Sequence, residues 1–168
     1  MRRRDVLFLT FLALAILVLS LSKDSLHAAG LGTLKVTVRY TGKDVVDERH
    51  KVFVLLMDAN PFASSALVDS TEQRIPPAAE AGVAHVLAVQ GAVSKEAALT
   101  FSNVPVSPVY LLALFDRNGE YNGHVGSFSQ GNPMGLFGDP PDKLTPIKIE
   151  RKTPAQITIE FDDSRTTP

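Results

Sequence analysis

Beyond about residue 30, apolar and polar positions alternate along much of the chain with a period of two. Over residues 33–40, Leu34, Val36, Val38 and Tyr40 fall on one side and Thr33, Lys35, Thr37 and Arg39 on the other, which predicts a half-buried strand. Turn chemistry follows at Thr41, Gly42, Lys43 and Asp44. Residues 51–57 (KVFVLLM) are apolar on both faces, so they predict a central strand covered on both sides. Residues 58–61 stop it. Residues 63–70 predict a short edge strand, and Pro76 and Pro77 forbid regular structure around them. Residues 78–81 have helix propensity but too little length for a helix to stand alone.

Residues 83–90 alternate again, with Val83, His85, Leu87 and Val89 set against Ala84, Val86 and Ala88. After a turn over 91–95, Ala97, Leu99 and Phe101 line one face of the next strand. A corner at 103–108 with two prolines leads into 109–116 (VYLLALFD), the most apolar strand of the chain. Residues 117–146 show no periodicity and are rich in Gly and Pro, too long for a plain connector. Ile147 and Ile149 alternate with Lys148 and Glu150, and a turn at 151–154 leads to residues 155–162. There Ile157, Ile159 and Phe161 face in while Gln156, Thr158 and Glu160 face out. No helix longer than two turns is visible. Seven to eight strands at this spacing predict an all-β fold, a seven- to eight-stranded antiparallel β-sandwich of Ig-like Greek-key type. Val52, Val54 or Leu56, with Leu111 and Phe115, are expected to supply its core.

The N-terminal segment lies outside that pattern. Met1 and three arginines precede an apolar run over residues 6–21, and small residues follow. This is the order of a secretory signal, with cleavage after Ser22, Ala28 or Ala29; an uncleaved anchor is the alternative, because the run is only slightly shorter than a spanning helix. Arg3 and Arg4 with the apolar pair Val6 and Leu7 also match a twin-arginine export signal. The expected organisation is a signal peptide or anchor over 1–28, one domain over 30–163, and a disordered tail over 164–168. The expected location is outside the cytoplasm, periplasmic or secreted, with membrane contact only through the N-terminal segment if it is retained.

Composition narrows the chemistry. The formal net charge is −1 and no basic stripe is present, which argues against a nucleic-acid partner. The chain has no cysteine, so disulfides, thiolate metal sites and cysteine nucleophiles drop out together. A domain of this length can bury enough surface to hold without them.

Two stretches carry candidate sites. Asp116, Asn118, Glu120 and Asn122 set oxygen-bearing side chains at alternate positions, as the opening of a Ca²⁺ loop does. The glycine stands at the fourth position instead of the sixth, and no bidentate acid follows at the right distance. The favoured reading is a turn in which Asn118 and Gly119 take positive φ and Asp116 binds nearby amides, with no cofactor. Residues 126–141 (GSFSQGNPMGLFGDPP) hold Phe128, Met134, Leu136 and Phe137. Together with Tyr121 and His124 these form a candidate binding surface for an envelope or extracellular protein or polymer. The alternative is an Ω-loop that plugs one end of the fold with the same side chains. His50, His85 and His124 show no ligand spacing, and each reads as a surface or packing histidine.

Several of these segments resemble a known family. GTLKVTV at 32–38, KVFVLL at 51–56, and Phe101-Ser-Asn-Val-Pro ahead of Val109-Tyr-Leu-Leu-Ala are similar to transthyretin-like (prealbumin-like) and carboxypeptidase regulatory-like sandwiches. The chain departs from them by carrying Val106-Ser-Pro where they have Pro-Gly. It is closer in look to small bacterial exported proteins of unknown function, through Asp116-Arg-Asn-Gly, the 131–138 stretch GNPMGLFG and Phe161-Asp-Asp. The resemblance implies a fold and says little about function. The Y-R-G-S tail of the transthyretin-like hydroxyisourate hydrolases is absent here. Lys35 has no asparagine in the last strand with which to form an isopeptide bond.

No catalytic residues are assigned. The leading expectation is an exported, non-catalytic binding or accessory module that uses the 116–141 loop. The competing readings are a hydrolase with His124 as base and Ser127 or Ser129 as nucleophile, and a structural spacer of the envelope. Ser64 and Ser65 have no sequence-near partner for catalysis.

Overall fold

The structure is a computed structural model, and it describes residues 31–63, 66–69, 83–124, 128–138 and 143–167. The expected signal or anchor, the short helical stretch at 78–81, Ser64, Ser65 and Ser127 lie outside these residues. The described residues are all-β with no helix, and none of their segments is a helix long and apolar enough to cross a membrane.

The strands are β1 (Gly32–Tyr40), β2 (Val52–Met57), β3 (Ala66–Asp69), β4 (Val83–Ala92), β5 (Glu96–Val104), β6 (Tyr110–Phe115), β7 (Met134–Leu136) and β8 (Ala155–Phe161). They form two sheets, one ordered β5-β1-β8 and the other β3-β4-β2-β6-β7. Pairing is mostly antiparallel, but β1–β8 and β3–β4 are parallel, so the wholly antiparallel expectation is corrected at those two ladders. Neither parallel pair is consecutive through a tight hairpin, which is the connection that forces antiparallel neighbours.

The sheets face each other over one apolar layer, as a β-sandwich requires. β1 contributes Leu34, Val36, Val38 and Tyr40, each buried, as its alternation predicts. Val52, Val54 and Leu56 meet them from β2, with Leu111, Ala113 and Phe115 from β6 and Ile159 and Phe161 from β8. The Tyr40 ring stacks on Phe115 with centroids 4.6 Å apart. All six residues of β2 are buried, because the odd members Phe53, Leu55 and Met57 enter a second apolar cluster on the other face of the five-stranded sheet. Val86, Leu112, Leu114, Met134, Leu136 and Leu144 complete the buried part of that cluster.

Four local expectations need correction. In β4 the register with β2 slips between Leu56 and Met57, which pair with Ala88 and Val86 and skip Leu87. One inserted residue reverses the face of everything beyond it, so Val86 and Val89 lie with the outer cluster while Leu87 and Ala88 pack on the inner one. Residues 147–150 keep their alternation, with Ile147 and Ile149 buried, yet make only an isolated bridge between Val109 and Ile147. The next groups of that ladder bond elsewhere: the Thr145 N–H donates to the Phe137 carbonyl, the Leu111 carbonyl accepts from the Phe137 N–H, and the Ile149 N–H donates to the Ser107 hydroxyl. The aperiodic 117–146 stretch contains β7, which pairs with β6 from Leu112–Leu136 to Leu114–Met134. Finally, residues 165–167 are no loose tail: the Arg165 carbonyl accepts from the Met134 N–H at 2.9 Å, and the Thr167 N–H donates to the Asn132 carbonyl at 2.9 Å.

Candidate functional site

The Asp116–Asn122 stretch is a turn anchored by one buried carboxylate. The Asp116 N–H donates to the Lys51 carbonyl at 2.9 Å and so continues the β2–β6 pairing by one step. Its side chain then accepts two amides of the following turn, Glu120 N–H at 3.2 Å and Tyr121 N–H at 2.9 Å, one on each oxygen. Gly119 has φ +66° and lies against Arg49, where a Cβ would sit 2.9 Å from the Arg49 carbonyl oxygen. Asn118 does not take positive φ, so only the second half of the expected Asn-Gly pair does. Glu120 accepts the hydroxyl of Ser129, and Asn122 accepts the His124 N–H at 3.2 Å. Three of the four candidate calcium ligands thus have their oxygens engaged by protein donors. Among the described residues no group of three or more His, Cys, Asp or Glu side chains is arranged to hold a metal ion.

The six candidate binding residues separate into two sets. Met134 and Leu136 are buried in β7, inside the outer cluster, and Phe137 is half-buried against the main core. The backbone around Phe137 is fixed: the Thr145 N–H donates to the Phe137 carbonyl at 2.7 Å, and Gly138 lies so close to the Lys143 carbonyl that no Cβ fits. Tyr121 and Phe128, half-buried like Phe137, pack on each other. Their rings stack with centroids 4.7 Å apart and 14° between planes. Both lie on Phe53 of β2, Tyr121 tilted at 4.3 Å and Phe128 edge-on at 5.6 Å. They are half-buried, with exposed Glu120, Asn122 and His124 beside them in the chain. The Asp116 turn fixes the backbone of Tyr121, and Ser129 ties the Phe128 segment to Glu120, so the stacked pair is held from both ends.

A polar cluster that sequence reasoning missed closes the same end of the molecule. Arg117 follows the end of β6 and reaches three parts of the chain. Its Nε donates to Asp44 at 2.7 Å, one terminal nitrogen donates to Asp163 at 2.9 Å, and the other to the Gly131 carbonyl at 3.4 Å. Asp163 also accepts the Tyr40 hydroxyl at 2.5 Å and the Lys43 N–H at 2.9 Å. These bonds, the Tyr40 hydroxyl first, hold the Asp163 carboxyl below its usual range, while burial and then Asp163 push the Tyr40 phenol above its own. Beside the cluster a cleft of about 250 Å³ is lined by Asp44, Val45, Asp47, His50, Phe115 and Arg117. Asn132 is buried, accepts the Arg117 N–H at 3.1 Å, and leaves its side-chain nitrogen without a partner among the described residues.

His85 is also placed by the tertiary structure. It is buried in β4, and its Nδ1 lies 2.8 Å from Asp58, whose other oxygen accepts the His85 N–H at 2.7 Å. Asp58 immediately follows β2 and stands 27 residues away in sequence, which is why spacing alone did not reveal the pair. Of the residues named for a hydrolytic site, Ser129 gives its hydroxyl to Glu120, and His124 is exposed. Comparison of the chain with family models, with curated proteins and with solved structures returns no match.

Proposed function

We infer that this is an exported, non-catalytic binding or accessory module, and that it meets an envelope or extracellular protein or polymer through the stacked pair Tyr121 and Phe128. The observation that carries the reading is the construction of that pair. Two aromatic rings are fixed side by side on a third, Phe53, and neither is fully covered. Half-exposed aromatics on a rigid base offer a large contact area at small entropic cost, which is why such groups recur at recognition surfaces. The exposed Glu120, Asn122 and His124 supply a polar rim. The Asp116 carboxylate belongs to the scaffold of this surface and not to a metal.

The finer fold reading belongs to the same proposal: an eight-stranded sandwich with a transthyretin-like Greek key. Its support is the path of the chain. β2–β4 and β1–β5 are antiparallel, residues 93–95 carry the chain from β4 across to β5, and the β1–β2 connection closes the circuit. In reverse chain order β5 and β4 are followed by the edge strand β3 and then by β2, which lies beside β4, and β1 returns to lie beside β5.

The test is recovery of partners. Protein expressed from the full coding sequence is used to capture material from native envelope extract, alongside a Tyr121→Ala, Phe128→Ala double variant. The expected result is loss of the captured partner with the far-ultraviolet dichroism retained. Equal capture by the double variant would sink the reading.

A further inference from the structure

A sheet that does not close has edges, and an unpaired edge is a row of N–H and C=O groups ready to accept another strand. Proteins blunt such edges with short strands, bulges, Lys, Pro or a covering segment. Four strands stand at edges here, and three of them are blunted. β3 has four residues and β7 three. β7 is also covered, since Pro133 bridges Thr166 and the Met134 N–H donates to Arg165. β5 has a register irregularity against β1, and the Gln90 side-chain amide donates to its Thr100 carbonyl at 2.7 Å. β8 has none of these devices among the described residues. It is seven residues long, contains no Lys, Pro or Gly, and runs in unbroken register with β1 from Leu34–Ala155 to Tyr40–Phe161.

The ladder shows which groups β8 offers. The Thr41 N–H donates to the Phe161 carbonyl at 2.8 Å, so the backbone of Phe161 faces β1. Alternation turns Ile159 and Ile157 the same way and leaves the N–H and C=O of Gln156, Thr158 and Glu160 on the free side. The inner face of β8 is also incomplete at one end. Ala155 and Ile157 are only half-buried, while the inner positions of β1 beside them, Leu34 and Val36, are buried.

We propose that β8 pairs with β8 of a second copy of this chain, antiparallel and centred on Thr158, joining two three-stranded sheets into one. Charge selects this occupant and this direction. Arg151 and Lys152 stand just before β8, and Asp162 and Asp163 just after it. Antiparallel self-pairing brings the basic end of each copy to the acidic end of the other, whereas parallel pairing sets like against like. Centring on Thr158 engages all seven residues of the strand. It places Thr158 opposite Thr158, Gln156 opposite Glu160 and Ile157 opposite Ile159, with no like charges facing. Centring on Glu160 would oppose two carboxylates. Centring on Gln156 would bring Pro154, which has no N–H, opposite Thr158. The half-buried Ala155 and Ile157 gain Phe161 and Ile159 of the second copy as neighbours. This surface is separate from the Tyr121–Phe128 pair, so either proposal stands or falls alone.

The chain has no cysteine, so one introduced thiol reports cleanly. Across such a pair the two Thr158 Cα atoms stand about 5.5 Å apart, within disulfide reach. Thr37 is beside Thr158 on β1, and its two copies would stand roughly 14 Å apart, three strand spacings, beyond that reach. Protein from the full coding sequence carrying Thr158→Cys is expected to form a disulfide-linked dimer of twice the chain mass under mild oxidation, while Thr37→Cys remains single. Thr158→Pro removes only an N–H on the free side, so light scattering should show a folded monomer where the unsubstituted protein is a dimer. An unsubstituted protein that is monomeric at its highest soluble concentration overturns the proposal. So does equal cross-linking of the two cysteine variants, a dimer that survives Thr158→Pro, or a cross-linked product of any other mass, which would put a foreign strand on the edge.

Discussion

Asp163 joins β1, the turn after it and the end of β6 through Tyr40, Lys43 and Arg117. Its carboxyl is held below the ordinary range in the folded chain, so between the folded value and the ordinary value near 4 the unfolded chain binds more protons. Stability therefore rises with pH through that window; the contribution is complete above it and is lost as pH falls through the folded value. Asp163→Asn should lower the urea midpoint at pH 7 and flatten part of the acid limb below about pH 4. Only part is flattened, because Asp47, Glu96 and Asp162 are also held low. Urea midpoints measured stepwise from pH 7 downward check this, and an acid limb identical to that of the unsubstituted protein would refute it. At this scale the Asp116 turn was readable in advance, since its amide partners stand four and five residues away. The Arg117 cluster was not, because Asp44 and Asp163 stand 73 and 46 residues away.

β2 and β6 organise the elements because each is apolar on both faces and each finds a cover for both. The inner face meets the three-stranded sheet, and the outer face meets Met134, Leu136, Leu144 and the aromatic pair over Phe53. Leu111, the second residue of β6, is fully buried, and Leu111→Ala should cost about 2–5 kcal/mol, the range of large-to-small core changes. Chemical denaturation measures it, and a loss under about 0.5 kcal/mol, typical of a surface change, would show that the strand is not central. β7 escaped the sequence because its middle residue is a glycine, which weakens strand propensity. The fold needs glycine there: a Cβ on Gly135 would lie 2.6 Å from the Phe161 side chain, so the close approach of β7 to β8 requires its absence. The β4 alternation misled for a different reason, since a one-residue bulge is an event between two strands and leaves no period in either.

Over the whole molecule, two apolar layers flank the five-stranded sheet, while the three-stranded sheet has a core face and a polar outer face tied by Arg39 to Glu96 and Glu160. The stacked aromatics and the β8 edge lie on different sheets. Export is the remaining expectation at this scale. The mature chain should begin between Lys23 and Gly30, as the small residues after the apolar run over residues 6–21 indicate. Intact mass of protein recovered from the exporting compartment decides it, and a mass that includes the arginines at positions 2–4 would mean a retained anchor.

Local pattern by itself determined the all-β class, the buried faces of β1, β2, β6 and β8, and the Asp116 turn. Each depends on a period of two or on partners a few residues away, and both are written along the chain. Tertiary structure alone decided that β1 lies between β5 and β8, that His85 meets Asp58, that Met134 and Leu136 are buried while Phe137, Tyr121 and Phe128 stay half-buried, and that β8 has no second partner strand among the described residues. Those outcomes depend on which distant segments become neighbours. A run of alternating residues states which face it will bury, but its hydrogen-bonding edges are the same for every partner strand, so the choice of neighbour is made by packing across the whole core.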